Sequence, residues 1–150
     1  MPKISLDEST LPSFEQRLQG ITGDSQRKWG TMSASQVLAH LAQSLKMSLG
    51  ELEGVEDRSN FLIRPIFKFI VRNFHFARNV KAPRIFFPES SGTLETERAE
   101  VLVLMRRFVE ESGREPNRRA VSPIMGPTEL SFWRLVNGKH LDHHLRQFGV

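Results

Sequence analysis

Apolar positions recur with a helical period in four stretches of the chain. The first runs from about Thr10 to Gln19, where Leu11, Phe14 and Leu18 share a face, Pro12 suits a first turn and Gly20 follows as a stop. The second has a full set of start signals. Ser33 is an N-cap with Gln36 three residues on, and Met32 and Val37 occupy the staple positions flanking them. That helix is expected to reach Leu49 before Gly50, with Leu38, Leu41 and Leu45 on its apolar sector. Its adjacent polar sector carries His40, Gln43 and Ser44. The third runs from about Thr93 to Ser112 and the fourth from about Thr128 to Phe148, followed by Gly113 and Gly149 respectively. Gly138 lies inside the last of these at a cost of roughly 1 kcal/mol against Ala, which close approach of a neighbouring helix would explain.

Between the second and third helices lies an insert, Glu51 to Pro88. From Phe61 to Phe76 it is aromatic and β-branched, with Arg64, Lys68 and Arg72 at four-residue intervals, which favours a helix with one basic edge. Such a stripe is expected to be covered by the same domain or by a second subunit. Lys81 to Pro88 reads as an extended connection, and the stretch with Pro116, Pro123, Gly126 and Pro127 as a loop. Four long amphipathic helices with little strand signal predict an all-α fold, an antiparallel four-helix bundle with an insert between helices two and three. At 150 residues the chain is read as a single domain, residues 1–150.

Composition narrows the chemistry. There is no cysteine, so disulfides, thiolate metal sites and a cysteine nucleophile are excluded. A hydrophobic fraction of 39% and a charged fraction of 25% describe an ordinary folded chain. The net charge of +4 comes from 21 basic and 17 acidic residues mixed along the chain, a pattern that does not predict a nucleic-acid footprint. Met1 to Asp7 has no apolar h-region, and the Phe61–Phe76 stretch is too short and too charged to span a bilayer. A cytoplasmic protein without a transmembrane segment is the expectation.

Three of the five histidines crowd the C-terminal helix. His140 and His144, four apart, share a helix face with Trp133 and Asn137, their Cβ atoms roughly 5–6 Å apart. Two such imidazoles can converge on one ion at about 2.0–2.1 Å for zinc, and His40 on the second helix is the candidate third ligand. Three neutral imidazoles leave a coordination position open, the pattern of a catalytic site. Surface histidines near a helix C-terminus, and a hydrogen-bonded interior His40, are the alternatives. His143 competes with His144, Asp142 points to the opposite side, and His75 in the insert reads as structural or exposed. Gln43, Ser44, Asn137 and Trp133 border the proposed ligands as candidate pocket residues. No phosphate-binding glycine motif, nucleophile elbow or carboxylate dyad is present.

The motif Thr31-Met-Ser-Ala-Ser-Gln-Val-Leu-Ala-His-Leu41 with the distant His140-Leu-Asp-His-His-Leu-Arg-Gln-Phe148 resembles the DinB/YfiT-like superfamily of metalloenzymes, in a bacterial branch without an assigned function. The resemblance covers nearly the whole chain. It implies an up-down-down-up four-helix bundle, and a divalent metal, zinc or nickel, on His40, His140 and His144, with His143 a neighbour. It also implies a low-molecular-weight thiol such as bacillithiol, mycothiol or glutathione as co-substrate. The function expected on these grounds is a metal-dependent enzyme, a transferase or hydrolase, in the form of a thiol S-transferase acting on small electrophiles. The alternative is a non-catalytic metal-binding or stress-related protein that uses the insert as a partner surface. The aromatic insert and the habits of that family point to a homodimer. Binding of nucleic acid or a membrane surface through Arg64, Lys68 and Arg72 ranks last.

Overall fold

In the computed structural model, which describes residues 4–80 and 92–150, the elements in chain order are α1 (Leu11–Gln19), α2 (Ala34–Leu49), α3 (Ile63–Asn73), α4 (Leu94–Arg114), β1 (Arg119–Ser122), β2 (Gly126–Glu129) and α5 (Leu130–Gln147). α2 and α4 form where apolar spacing and N-terminal caps agree. Ser33 caps α2 as a capping box: its Oγ accepts from Gln36 N–H at 3.2 Å and its own N–H donates to Gln36 Oε1 at 2.8 Å. Thr93 caps α4 by accepting from Thr96 N–H at 3.2 Å, and Gly50 ends α2 in the left-handed region, φ +76°.

The apolar faces of α1, α2, α4 and α5 meet in one buried cluster, in which Leu38, Leu41, Leu45, Met105, Phe108, Leu141 and Leu145 are almost wholly enclosed. α2 lies against both α4 and α5, so the residues on its α5 side face the last helix.

The all-α antiparallel bundle expected from periodicity, and the DinB-like form the resemblance implied, are overturned: the described residues form five helices and a two-stranded antiparallel sheet. The sheet arises where the sequence predicted a loop. β1 and β2 pair with Arg119 opposite Glu129, Ala120 opposite Thr128 and Ser122 opposite Gly126. Ser122 Oγ closes the turn by accepting from the N–H groups of Ile124 and Met125. Pro127, which has no N–H to donate, is tolerated because every strand of a two-stranded sheet is an edge. Thr128 and Glu129 therefore belong to β2, and α5 starts at Leu130 rather than near Thr128.

α3 occupies part of the insert, with Pro65 in its first turn. Its basic edge turns inward. Arg64 pairs with Asp57 at 2.8 Å, while the cationic ends of Lys68 and Arg72 lie 5.7 and 5.2 Å from the centre of the Phe132 ring. The apolar side faces out: Phe61, Leu62, Ile66, Phe69 and Phe74 are each more than half exposed. The expected cover by the same domain is thus not present among the described residues. The Lys81–Pro88 connection lies outside the described residues.

Gly138 has a different neighbour from the helix expected. A Cβ there would stand 2.5 Å from Ile4 O and 2.6 Å from Ser5 Cα. The N-terminal segment crosses α5 at this point, with Leu6 fully buried and its N–H donating to Arg134 O at 2.8 Å.

Candidate metal centre

α2 and α5 run antiparallel and share a polar seam. At one end Asn137 Nδ2 donates to Ser48 Oγ at 2.9 Å. One turn along, Ser44 Oγ lies 3.1 Å from His140 Nδ1. The next step brings His40 Nε2 to 2.9 Å from His140 Nε2, which is itself 3.1 Å from His144 Nε2. His40 and His144 are buried and His140 is half-buried, and one nitrogen from each lies within 4.8 Å of the others. The seam exists because four-residue steps on two antiparallel helices keep their side chains opposite one another.

Gln147 determines the proton position on one ring. Its Nε2 donates to Trp29 O at 2.8 Å, which turns Oε1 toward His144 Nδ1 at 2.7 Å. An amide oxygen only accepts, so His144 carries its proton on Nδ1 and presents the Nε2 lone pair to the cluster. His140 Nε2 faces two ring nitrogens at once. A neutral Nε2 holds either one proton or one lone pair, so it makes one linear hydrogen bond here and can only share it between the two contacts. A cation satisfies all three lone pairs together. The 2.9 and 3.1 Å separations also approach the roughly 2.9–3.3 Å edge expected between ligands bound at about 2.0–2.1 Å. The donor set fits a divalent metal that accepts imidazole, zinc or nickel among them.

The electrostatics favour the ligand form. Burial first, then the neighbouring His40, His144 and His143, hold His140 well below the ordinary imidazole range. Burial and His40 lower His144 to about 3, against the opposing pull of the Gln147 bond. Burial, then Arg146 and Arg78, lower His143, with Asp142 acting the other way. His140, His143 and His144 are therefore neutral at neutral pH.

The other candidates fall in different places. Ser44 and Asn137 line the seam. Gln43 is half-buried on α2, its Oε1 enclosed without a partner among the described residues. Trp133 belongs to the core, fully buried and donating from Nε1 to Ala120 O at 3.2 Å. His143 is buried between Trp29, 5.5 Å away, and Phe76, 6.4 Å away, with its ring 5.0 Å from that of His144. Asp142 is also buried, bridging Arg17 and Arg146 at 2.9 Å each. His75 is exposed.

Sequence reasoning missed Gln147, Trp29, Phe76 and Arg78. Gln147 could have been found, because it stands three residues after His144 on the same helix face. The others come from irregular segments that only the tertiary fold brings to the cluster. Phe76 stands 6.0 Å from His140, and Lys139 Nζ anchors the root of its segment by donating to Val71 O and Phe74 O.

Among the described residues, no helix is long and apolar enough to cross a membrane. A family model described as a protein of unknown function (DUF1569) matches residues 4–149. This match replaces the DinB/YfiT assignment expected from the two histidine motifs. No curated protein and no solved structure matches the chain.

Proposed function

We propose that the chain, which belongs to the DUF1569 family, is a divalent-metal-dependent enzyme whose ligands are Nε2 of His40, His140 and His144. The observation that carries the reading is the convergence of three ring nitrogens, two of them 2.9 and 3.1 Å from the third, where a single proton or lone pair on His140 must serve two neighbours. Gln147 and Ser44 support it from behind, each at the Nδ1 side of a proposed ligand. A bound divalent cation would supply Lewis-acid chemistry, making a nucleophile available near neutral pH.

The chain's own groups do the rest. His40, His140 and His144 form one side of the centre and leave the remaining directions to a small-molecule substrate. Gln147 holds the His144 ring in one tautomer and orientation, and Ser44 orients His140. Phe76 screens the His140 edge from solvent, which strengthens the interactions inside the site.

Elemental analysis of protein purified without an affinity tag, before and after reconstitution with zinc or nickel, is the test. About one metal per chain in wild type and its loss in His140→Ala are expected. Wild-type protein that holds no stoichiometric metal in either state overturns the reading. A substrate panel on the metal-loaded protein, including thiol–electrophile pairs and hydrolysable esters, then separates transferase from hydrolase chemistry.

The outward apolar face of α3 favours a second reading, a metal-holding binding protein that docks a partner there. Normal metal content with no turnover across the panel would favour it.

A further inference from the structure

A concave feature lies beyond His143. Lys28, Trp29, Arg78, Arg146, Gly149 and Val150 line a cleft of about 270 Å³. Three of these six side chains are cationic. Arg146 is engaged with Asp142 at 2.9 Å, and Asp142 is shared with Arg17, which also donates to Val150 O at 3.0 Å. Lys28 and Arg78 have no carboxylate partner among the described residues. Arg78 instead lies over the indole of Trp29, its guanidinium carbon 4.0 Å from the ring centre. That stacking leaves the guanidinium edges, which carry its donors, free to bond a ligand.

We propose that this cleft is an anion subsite, in which Lys28 and Arg78 hold the carboxylate or phosphate group of a small molecule lying beside Trp29. Two cations with no carboxylate partner among the described residues, in a partly enclosed space, concentrate positive potential there. The guanidinium offers the fork geometry that carboxylate and phosphate oxygens match. The cleft adjoins the metal cluster: the His143 ring stands 5.5 Å from Trp29 and 5.0 Å from His144. The segment that places Arg78 on Trp29 also places Phe76 beside His140 and His143. The cleft's role as the anionic end of the substrate site rests on the metal reading above; its capacity to bind an anion does not.

The test is calorimetric titration of the full-length chain, metal-free and metal-loaded, with succinate and with inorganic phosphate, alongside Trp29 fluorescence. Saturable binding to the metal-free protein is expected, weakened about tenfold or more by Lys28→Gln or Arg78→Gln and further by the pair, as loss of a charge-assisted bond implies. Arg119→Gln, a cation on the distant hairpin, should leave it unchanged. The preferred probe tells carboxylate from phosphate chemistry. Arg78→Lys should bind between wild type and Arg78→Gln, and circular dichroism verifies that each variant is folded. No saturable binding to the metal-free wild type, or binding that the double variant leaves intact, overturns the subsite. Binding seen only in metal-loaded protein and insensitive to Lys28 and Arg78 places the anion on the metal, which overturns the cleft and spares the metal reading. Lys28- and Arg78-sensitive binding in a protein that takes up no metal supports the cleft and removes the enzyme reading instead.

Discussion

Replacing Gln147 by Leu tests the reasoning about the centre most directly. The side chain is 2% exposed and makes two hydrogen bonds, accepting from His144 Nδ1–H at 2.7 Å and donating to Trp29 O at 2.8 Å. Leucine fills a similar volume and supplies neither. With the acceptor gone, nothing on Gln147 favours the Nδ1–H tautomer of His144, and the ring loses the contact that aims its Nε2 at the cluster. Loss of such an orienting partner costs about 10–100-fold in metal affinity, or roughly 1.4–2.7 kcal/mol. The Trp29 carbonyl and the His144 N–H also lose their partner, each at about 1–3 kcal/mol of stability where water does not replace it. Gln147→Glu keeps an acceptor on Nδ1 while giving up the donor to Trp29, so it should hold metal more tightly than Gln147→Leu. Competition against a chromophoric chelator at pH 7, on variants verified as folded by circular dichroism, separates affinity from stability. A folded Gln147→Leu protein with wild-type affinity would show that the amide does not orient His144.

Three further outcomes are expected. Gly138→Ala gains about 1 kcal/mol of helix propensity but drives a Cβ to 2.5 Å from Ile4 O, a backbone atom; overpacking of about 1–3 kcal/mol should win, lowering Tm by several degrees, and a stabilised variant refutes the crossing. In metal-free protein His144 titrates at about 3 against an ordinary 6.5, so below pH 6.5 the unfolded state binds the extra proton; stability should fall as pH drops from 6.5 toward 3. By pH 5 the loss is on the order of 2 kcal/mol from this group, and denaturant titrations at pH 7 and 5 that show the same difference in His144→Gln as in wild type would contradict it. Trp133→Phe removes the bond to the buried Ala120 carbonyl and should cost about 1–3 kcal/mol in a denaturant titration while metal stoichiometry stays at the wild-type value; loss of metal without loss of stability would return Trp133 to the pocket.

What could be read from the chain depended on how local the controlling physics was. The α2 start was legible because both halves of the Ser33–Gln36 capping box lie within four residues. His140 and His144 were placed on one face by helical geometry alone, and the sequence named His40 as their candidate companion. Which helices face each other is a tertiary matter, as is the approach of Trp29 and Arg78 from segments that carry no periodic signal. The hairpin was missed because its strands are four residues each, too short for an alternation to register, and because Pro127 argues against a strand except at an edge. For α3, amphipathicity distinguished two faces without saying which one turns inward. The outcome there was set by Asp57 and the Phe132 ring, which draw the cations to the body. The two histidine motifs likewise pointed to a site while pointing to the wrong family.

The polar seam between α2 and α5 also bears on when the centre can form. His40 and His140 are 100 residues apart in the chain. Closing a loop of that length costs on the order of 4 kcal/mol of chain entropy before any contact across it offsets the loss. His140 and His144, by contrast, come together as soon as a single turn of α5 is helical. A cation present while the chain folds would meet this two-histidine half-site early, and His40 would arrive only when α2 docks. Refolding in the presence of metal should therefore begin with a weak bidentate complex on an isolated helix, and tighten in the same kinetic step that buries the core.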